Sequence, residues 1–285
     1  VSFSNIDIVF VVNSANGPFG ILTKIFNKKT CINVDGLEWL RPKWKGLGSL
    51  YFRVSSKLAT IFFDEIITDS FEMNRVYKNK FKKDSTTIAY GPTMTNVNRK
   101  KILNQLDLAD KSYYLIVGRL IPDNNSKLIL DGFLESNSSK KVVIVGDVPY
   151  NDNYAKKVKL YSSKQIIFTG YITNSEDLSC LYENCYGYIH GHEYGGTNPT
   201  MINALSFNCE VLALDTLFNR EMLDSKQAVF FKKNKKSIIN SFKKFEEGFI
   251  ERTYANKKYK ISSLYSWETI LNQYEYIFNK LNNSI

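Results

Sequence analysis

Ten short apolar runs, separated by segments of helical length, constrain the fold of this chain more than any other feature. The runs are IDIVFVV (6–12), TCINVD (30–35), EIITD (65–69), TTIAY (86–90), YYLIVG (113–118), KVVIVGD (141–147), QIIFTG (165–170), YGYIHG (186–191), EVLALD (210–215) and AVFF (228–231). Most are continuously apolar rather than alternating, which is typical of parallel strands covered on both faces. Repeated alternation of strand and helix predicts an α/β fold with parallel sheets.

A polar stretch at 92–111, which begins with Gly91-Pro92, interrupts the alternation and indicates a connection between two domains. About six predicted strands follow it, enough for a doubly wound domain, and about four precede it. We therefore predict domains at residues 1–107 and 108–265. The last segment, 266–285, contains an amphipathic helix that Ser266 caps, with Glu268 in its first turn.

The net charge of the chain is +10, from 38 basic and 28 acidic residues. Such a charge favours an anionic partner, which includes nucleic acid, acidic lipid headgroups and phosphorylated small molecules, although an ordinary lysine-rich surface accounts for it as well. No nucleic-acid recognition motif accompanies the charge, so we expect no nucleic-acid partner.

The cysteines indicate a reducing compartment. Cys31, Cys180, Cys185 and Cys209 show neither metal-ligand spacing nor a disulfide framework, which is typical of reduced thiols in a cytoplasmic protein. No apolar run approaches the roughly 18 residues of a membrane span. The first residues, VSFSNIDIVFVVN, lack the basic flank and cleavage site of a signal peptide and resemble a strand entered part-way through a domain.

The stretch HGHEYGGTNPTMINAL (190–205) contains both histidines of the chain and follows a predicted strand. Asn198 and Pro199 are a good N-cap and first helical residue, so a helix is predicted from Pro199 to about residue 207, with Asn208 ending it in a left-handed conformation. Ligands of open parallel sheets bind beyond the carboxyl ends of strands. A glycine turn that leads into a helix N-terminus favours a phosphate or diphosphate there, although an ordinary β–α turn has the same pattern.

The pair His190 and His192 also suits a metal, since alternate residues of a strand share one face. No third ligand is evident, so a metal site is the weaker hypothesis. A His190 at the end of the strand could instead hydrogen-bond a sugar hydroxyl or a phosphate.

The same stretch resembles the donor-site signature of retaining glycosyltransferases of family 4, and it is closest to the bacterial β-1,4-rhamnosyltransferase branch. Further segments match that branch in order along the chain: NVDGLEWLRPKW (33–44), YYLIVGRLIPDNN (113–125), LDTLFNREML (214–223) and SWETILNQY (266–274).

The resemblance implies the GT-B fold, with two Rossmann-like doubly wound domains. The C-terminal domain would bind a nucleotide-sugar donor and the N-terminal one the acceptor, while the last helix crosses back to the N-terminal domain. Family members begin with about a hundred further residues, so the N-terminal domain is expected to be incomplete here.

The resemblance implies roles for individual residues. Arg119 would bind the donor diphosphate, Asp35 and Glu38 would act on the acceptor hydroxyl, and these three are the predicted catalytic residues. The donor site would consist of Arg119, His190, His192, Glu193, Gly195, Gly196, Thr197, Asn198 and Asn203, and the acceptor site of Asp35 and Trp39. The residues alone allow simpler roles: a salt-bridged surface arginine, a turn aspartate, and core tryptophans at Trp39 and Trp44.

The resemblance further implies front-face attack, in which the leaving diphosphate helps to take the proton of the acceptor, with no protein nucleophile, cofactor or metal. The donor would be dTDP-L-rhamnose, and the acceptor a saccharide or a polyprenyl-diphosphate-linked glycan. The basic runs KNKFKK (78–83) and FKKNKK (231–236) suit peripheral contact with the inner face of the membrane, and suit solvated helices and loops equally well.

Three positions depart from the family pattern. Asn203 replaces an acidic residue that holds the ribose, Asn208 replaces a glycine, and Ser56 stands where a glutamate is frequent. These departures favour a second hypothesis, in which the chain is a catalytically degenerate nucleotide-sugar-binding homologue or the partner subunit of an intact transferase.

Overall fold

A computed structural model of the chain describes residues 6–93, 95, 97, 101–223, 228–248 and 263–283. The chain forms two compact units, each with its own parallel sheet. Unit 1 comprises Val1–Gly91, Tyr194–Asn198 and Ser262–Ile285, and unit 2 comprises Pro92–Glu193 and Pro199–Ile261.

The division between the units follows Gly91, earlier than the domain boundary predicted after residue 107. A Cβ atom on Gly91 would lie 2.7 Å from the ring of Trp267, so the chain is packed against the last helix up to this glycine. The stretch that separates the predicted domains therefore belongs to unit 2.

All ten predicted strands are present in the structure. They are β1 (Ile8–Val12), β2 (Lys29–Asn33), β3 (Glu65–Thr68), β4 (Thr86–Thr87), β5 (Tyr113–Val117), β6 (Lys141–Val145), β7 (Ile166–Gly170), β8 (Gly187–His190), β9 (Val211–Leu214) and β10 (Ala228–Phe231). All their pairings are parallel, which confirms the predicted fold class. Several strands end before the predicted run does, because polar residues such as Asp35 and Asp69 leave the ladder to enter loops.

The α-helices connect these strands. They are α1 (Gly20–Ile25), α2 (Leu47–Phe62), α3 (Phe71–Phe81), α4 (Lys101–Gln105), α5 (Ser126–Glu135), α6 (Asn153–Lys159), α7 (Ser175–Asn184), α8 (Pro199–Ser206), α9 (Leu217–Met222), α10 (Lys235–Glu246) and α11 (Trp267–Asn282). Two predicted helix boundaries are confirmed. Asn208 has a φ of 53° two residues after α8 ends, and the Ser266 hydroxyl accepts a hydrogen bond of 3.2 Å from the Thr269 amide at the start of α11.

Helix α11 covers one part of the sheet of unit 1. Its buried residues Ile270, Ile277 and Leu281 form a cluster with Cys31 of β2 and Ile67 of β3. Burial raises the pKa of the Cys31 thiol to about 12, with the nearby carboxylates Glu65 and Asp64 as lesser causes. The last helix is thus an integral part of the core of unit 1.

The sheet of unit 1 has the order β1-β2-β3-β4, and its two edges differ in character. At one edge, β4 has only two residues, both threonine. At the other, β1 reads IVFVV, and its Phe10 and Val12 are 42% and 59% exposed. Natural edge strands are generally short or charged, so the β1 edge has the composition of an interior strand.

The sheet of unit 2 has the order β10-β9-β8-β5-β6-β7. The chain proceeds outward from β5 in one direction and from β8 in the other, so the strand order reverses between these two strands. Tyr114 of β5 lies opposite Gly187 of β8, where a Cβ atom would be 2.6 Å from the ring of Phe245. The ring of Phe245 therefore fills the space that a side chain at position 187 would need.

In the part of the chain that the structure describes, no helix combines the length and the apolar character needed to span a lipid bilayer.

Replacing Ser266 by alanine removes the N-cap of α11, and we expect unit 1 to lose about 1 kcal/mol of stability. All three tryptophans, Trp39, Trp44 and Trp267, belong to unit 1, so urea unfolding followed by tryptophan fluorescence reports on this unit alone. The exposed Ser263 provides the matched control, since Ser263→Ala removes a hydroxyl without removing a cap. Equal unfolding midpoints for the two variants would contradict the capping role.

Candidate functional site

The carboxyl ends of β5 and β8 are neighbours in unit 2, and both predicted donor-binding motifs follow them directly. Gly118 and Arg119 follow β5, while Gly191, His192 and Glu193 follow β8. Because the strand order reverses between β5 and β8, the loops after them lead to opposite sides of the sheet. This arrangement creates the crevice in which doubly wound sheets bind their ligands.

Two asparagines join these loops. Asn124 donates a hydrogen bond of 2.7 Å to the Arg119 carbonyl, and its side-chain oxygen lies 2.9 Å from Nδ1 of His192. Asn125, which has a φ of 54°, donates a hydrogen bond of 2.9 Å to the Gly191 carbonyl. Neither asparagine is among the predicted site residues, although the segment PDNN that contains them is part of the matched motif.

The glycines at these strand ends permit close backbone approach. A Cβ atom on Gly191 would lie 2.2 Å from the Asn124 carbonyl oxygen, and one on Gly146, after β6, would lie 2.3 Å from the Gly118 carbonyl oxygen. Side chains at these positions would push the strand ends apart. At the carboxyl ends of these strands, backbone atoms of neighbouring loops therefore lie close to one another.

The Arg119 side chain is exposed, and its guanidinium forms no ion pair with any residue that the structure describes. The simpler prediction of a salt-bridged arginine thus has no support among these residues. The nearby Lys127, in contrast, forms an ion pair of 2.9 Å with Asp131, which raises the pKa of the lysine. Arg119 is consequently available to an anionic ligand.

His190, the last residue of β8, is 3% exposed. Its Nδ1 atom lies 3.2 Å from the Tyr188 hydroxyl, which in turn donates a hydrogen bond of 2.8 Å to Oγ1 of Thr200. Its Nε2 atom has no hydrogen-bond partner in the described part of the chain. Burial, and secondarily His192, place the pKa of His190 well below its usual value, so the ring is neutral.

Glu193 and His192 are held by contacts within unit 2. The Glu193 carboxylate is paired with Lys233, and the backbone amide of Glu193 donates a hydrogen bond of 3.1 Å to the Asp123 carbonyl. The buried Asn219 donates to the His192 carbonyl at 3.2 Å. Asn219 is another residue that the predicted site does not include, although it lies within the matched segment LDTLFNREML.

Asn203, predicted to bind the ribose, is buried on α8 and engaged by the connection after Gly91. Its side-chain oxygen accepts a hydrogen bond of 2.9 Å from the Thr93 amide, and its Nδ2 atom donates one of 3.3 Å to the Thr93 hydroxyl. Both functional groups of the asparagine therefore have protein partners.

The glycine loop Tyr194–Asn198 is counted with unit 1, where it packs against Asp69. The Thr197 hydroxyl donates a hydrogen bond to the Asp69 carbonyl. A Cβ atom on Gly196 would lie 1.7 Å from Oδ1 of Asp69, whereas Gly195 has a φ of 125°. The two glycines thus serve different purposes, since Gly195 permits the turn and Gly196 makes room for a carboxylate. Asp69 is not among the predicted site residues, although it ends the strand motif EIITD.

The carboxyl ends of the unit 1 strands carry further polar groups. Asp35 follows β2, and the Tyr90 hydroxyl donates to its Oδ2 atom at 3.4 Å. Burial raises the pKa of Tyr90, and the negative charges of Asp35 and Asp69 raise it further. The same three causes act on the pKa of Tyr77. Asp35 therefore lies in a partly buried cluster of carboxylates and phenols.

The segment DGLEWLRPKW is stabilised by its own side chains. Glu38 forms an ion pair of 3.0 Å with Arg41 and accepts a hydrogen bond of 2.9 Å from Nε1 of Trp44. Trp39 is buried, with its ring 6.5 Å from Tyr77 and 5.9 Å from Phe81 in edge-to-face contacts. These contacts give Glu38 and Trp39 structural roles, and their predicted catalytic and acceptor roles stay predictions.

No metal-binding group of three or more histidine, cysteine or acidic residues occurs among the described residues. The four cysteines are free thiols, and Cys185 lies 3.7 Å from Cys209, sulfur to sulfur. Some lysines of the basic runs have acidic partners, such as Lys78 with Asp84 at 2.8 Å and Lys235 with Glu135 at 2.6 Å.

Comparison with protein families agrees with this geometry. Residues 98–260 match the family model described as glycosyl transferases group 1, and residues 4–93 match a model described as a domain of unknown function, DUF1972. No curated protein matches the chain.

Three solved structures are similar to the chain in fold. Sucrose-phosphate synthase from Thermosynechococcus elongatus has a TM-score of 0.83 at 16% identity, over 100% of this chain and 76% of that one. Anabaena HepE in complex with UDP-glucose has a TM-score of 0.78 at 16% identity, over 96% of this chain and 79% of that one. A glycosyltransferase from Rickettsia africae has a TM-score of 0.75 at 14% identity, over 97% and 77%. At these identities the similarity is one of fold, and it confirms the GT-B fold with two Rossmann-like units.

Replacing Gly196 by alanine places a methyl group on the Asp69 carboxylate, and we expect unit 1 to lose about 1–3 kcal/mol of stability. In an Asp69→Ala background the same substitution should cost far less, because both overlapping oxygens are gone. A double-mutant cycle of urea unfolding, followed by tryptophan fluorescence, measures this coupling. If the losses in the free energy of unfolding are additive, Gly196 and Asp69 are not coupled and this explanation of the glycine is wrong.

Acid is expected to destabilise unit 2 through His190. In the unfolded chain the His190 side chain takes up a proton near about pH 6.5, whereas in the folded state it stays neutral at that pH. The contribution of the neutral ring to the free energy of unfolding is therefore complete above about pH 6.5 and is lost as the pH falls. The loss approaches about 1.4 kcal/mol per pH unit. Urea unfolding followed by circular dichroism between about pH 7.5 and about pH 5.5 tests this. The His190→Gln variant should show a smaller slope, and an unchanged slope would count against the assignment.

Proposed function

Since the chain belongs to the family of glycosyl transferases group 1, we propose that it transfers rhamnose from dTDP-L-rhamnose, with retention, to a saccharide acceptor on a polyprenyl diphosphate. The observation that carries the proposal is the switch point of unit 2, where an exposed arginine, without an ion pair among the described residues, follows β5 and a buried, neutral histidine ends the neighbouring β8. A hexosyl nucleotide presents an anion and several hydroxyl groups, and these two side chains are suited to such a pair of groups.

On the donor side, Arg119 would bind the diphosphate. Its guanidinium is permanently charged and presents donors in a fixed geometry, which suits two neighbouring phosphate oxygens. Backbone amides at the start of α8, with side chains of Thr197 and Asn198, would add further donors. HepE, which has a similar fold, is seen in complex with UDP-glucose, so this fold accommodates a nucleotide sugar.

On the acceptor side, Asp35 and its neighbour Tyr90 would orient the incoming hydroxyl. An aspartate that accepts a hydrogen bond from a phenol has a fixed orientation and still has lone pairs for a second donor. Asp69 would act indirectly, by holding Gly196 and Thr197 in place. Glu38 and Trp39 would shape this region through their contacts with Arg41 and Tyr77.

The proposed chemistry requires positioning and charge stabilisation. The acceptor oxygen forms a bond to the anomeric carbon on the face from which the diphosphate leaves, and the hydroxyl proton passes to the departing phosphate oxygen. Arg119 stabilises the negative charge that develops on that oxygen. No metal and no other cofactor takes part in this scheme.

The choice of rhamnose rests on the motifs NVDGLEWLRPKW and HGHEYGGTNPTMINAL, which resemble those of the rhamnosyltransferase branch. A lipid-linked acceptor would place the reaction at the cytoplasmic face of a membrane during synthesis of a surface polysaccharide. Lysines of the two basic runs would then contact anionic headgroups.

One observation favours a second function, that of a nucleotide-sugar-binding homologue without catalysis. Asn203 replaces the acidic residue of the family pattern, and both of its polar groups are bonded to Thr93. A donor ribose would have to displace the Thr93 contacts or bind without this residue. The weaker donor binding that results would suit a partner subunit of an intact transferase.

The Arg119→Ala variant is expected to bind dTDP-rhamnose about 10- to 100-fold more weakly than the unaltered chain, because a charge-assisted hydrogen bond contributes about 1.5–3 kcal/mol. Isothermal titration calorimetry with dTDP-rhamnose, UDP-glucose, GDP-mannose and free dTDP measures this and identifies the donor. The matched control is Arg53→Ala, since Arg53 is exposed on α2 and belongs to unit 1.

Selective binding of dTDP-rhamnose, weakened by the first variant and unaffected by the second, supports the proposed donor site. Product formation with a lipid-linked saccharide then separates the transferase from the non-catalytic homologue. Binding of none of these ligands by the folded chain refutes both functions.

A further inference from the structure

Within unit 2, hydrogen bonds connect Thr200 and Tyr188 with His190, the last residue of β8. Tyr188 is fully buried, and its hydroxyl donates a bond of 2.8 Å to Oγ1 of Thr200, at the start of α8. The same phenolic oxygen lies 3.2 Å from Nδ1 of His190. Burial raises the pKa of Tyr188, so the phenol keeps its single proton.

The direction of these hydrogen bonds determines the tautomer of His190. A phenol has one proton to donate, and the geometry of the contact makes Tyr188 the donor to Thr200. The contact between Tyr188 and Nδ1 is therefore a hydrogen bond only if Nδ1 bears the proton. A neutral imidazole has one protonated nitrogen and one bare nitrogen, so Nε2 is then the bare one.

The bare nitrogen is buried and has no partner among the described residues. A buried acceptor left unsatisfied is costly, so its place at the carboxyl end of β8 suggests a ligand group that satisfies it. That group must supply a proton. Phosphate oxygens, which are acceptors at neutral pH, are excluded, whereas a hydroxyl fits.

We infer that His190 is held by Tyr188 and Thr200 as the tautomer protonated on Nδ1, and that its Nε2 atom accepts a hydrogen bond from a hydroxyl of the transferred hexose. The second half of this inference rests on the proposed function, whereas the first half does not. His190 thereby recognises the sugar and not the diphosphate, while Tyr188 is a positioning residue that acts through it.

The chain has only two histidines, so the tautomer can be observed directly. Long-range proton–nitrogen NMR spectra of the chain labelled with ¹⁵N-histidine distinguish bare from protonated ring nitrogens, and the His192→Gln variant assigns the signals. We expect a bare Nε2 on His190 in the free chain near neutral pH. A protonated Nε2, or an imidazolium ring, overturns the inference before any ligand is added.

Ligand titrations then test the hydroxyl. On addition of dTDP-rhamnose the Nε2 signal should move towards that of a hydrogen-bonded nitrogen, while free dTDP, which has the same diphosphate and nucleoside, should leave it unchanged. A shift with dTDP alone assigns the donor to the nucleoside and overturns the assignment to the hexose. If the tautomer is as inferred but no nucleotide sugar binds, the proposed function is refuted together with the hexose contact.

The Tyr188→Phe variant tests the positioning role. It removes the partner of Nδ1, so the protonated Nε2 form should appear and affinity for dTDP-rhamnose should fall at least about tenfold, with affinity for dTDP unchanged. Tyr186→Phe is the matched control, because it makes the same chemical change just before the same strand. Equal losses for dTDP and dTDP-rhamnose would show a merely structural effect and contradict the positioning role.

Discussion

The pairing of β5 with β8 is the constraint on which the rest of unit 2 depends. It brings together strands that are distant in the chain, with Tyr114 opposite Gly187 and Leu115 opposite Tyr188. At this pairing Gly187 leaves room for the ring of Phe245, which a Cβ atom there would meet at 2.6 Å. The proposed roles of Arg119 and His190 in donor binding rest on this pairing, since Arg119 lies two residues after β5 and His190 ends β8. A displacement of β8 would separate the cationic and the hydroxyl-binding parts of the site.

Much of this arrangement could be predicted from the sequence, because the information is local. Continuous apolar runs identified all ten strands, and the pairs Asn198-Pro199 and Ser266-Trp267 marked the starts of two helices. Parallel pairing followed from the alternation with helices. The positions of Arg119 and the glycine loop at strand ends followed in turn, because these motifs adjoin strands that could be recognised from composition.

The contacts that define the site are different, because they join residues far apart in the chain. Nothing in EIITD indicates that Asp69 meets Gly196, or that Asn219 supports His192. The departure at Asn203 was visible as a substitution, but its partner Thr93 was not. Glycine is the most instructive case. The doublet Gly195-Gly196 predicted a flexible turn, whereas the structure requires one glycine for its φ and the other for a neighbouring carboxylate.

Among the residues that the structure describes, no strand pairs with the outer side of β1. An uncharged IVFVV strand at the edge of a sheet is a template on which an extended segment can continue the sheet. The rate of association between two molecules is second order in protein concentration, whereas the rate of unfolding is first order. Association through this edge would therefore become faster at higher protein concentration, whereas unfolding of the core would not, and a strand that covered the edge would remove this dependence on concentration.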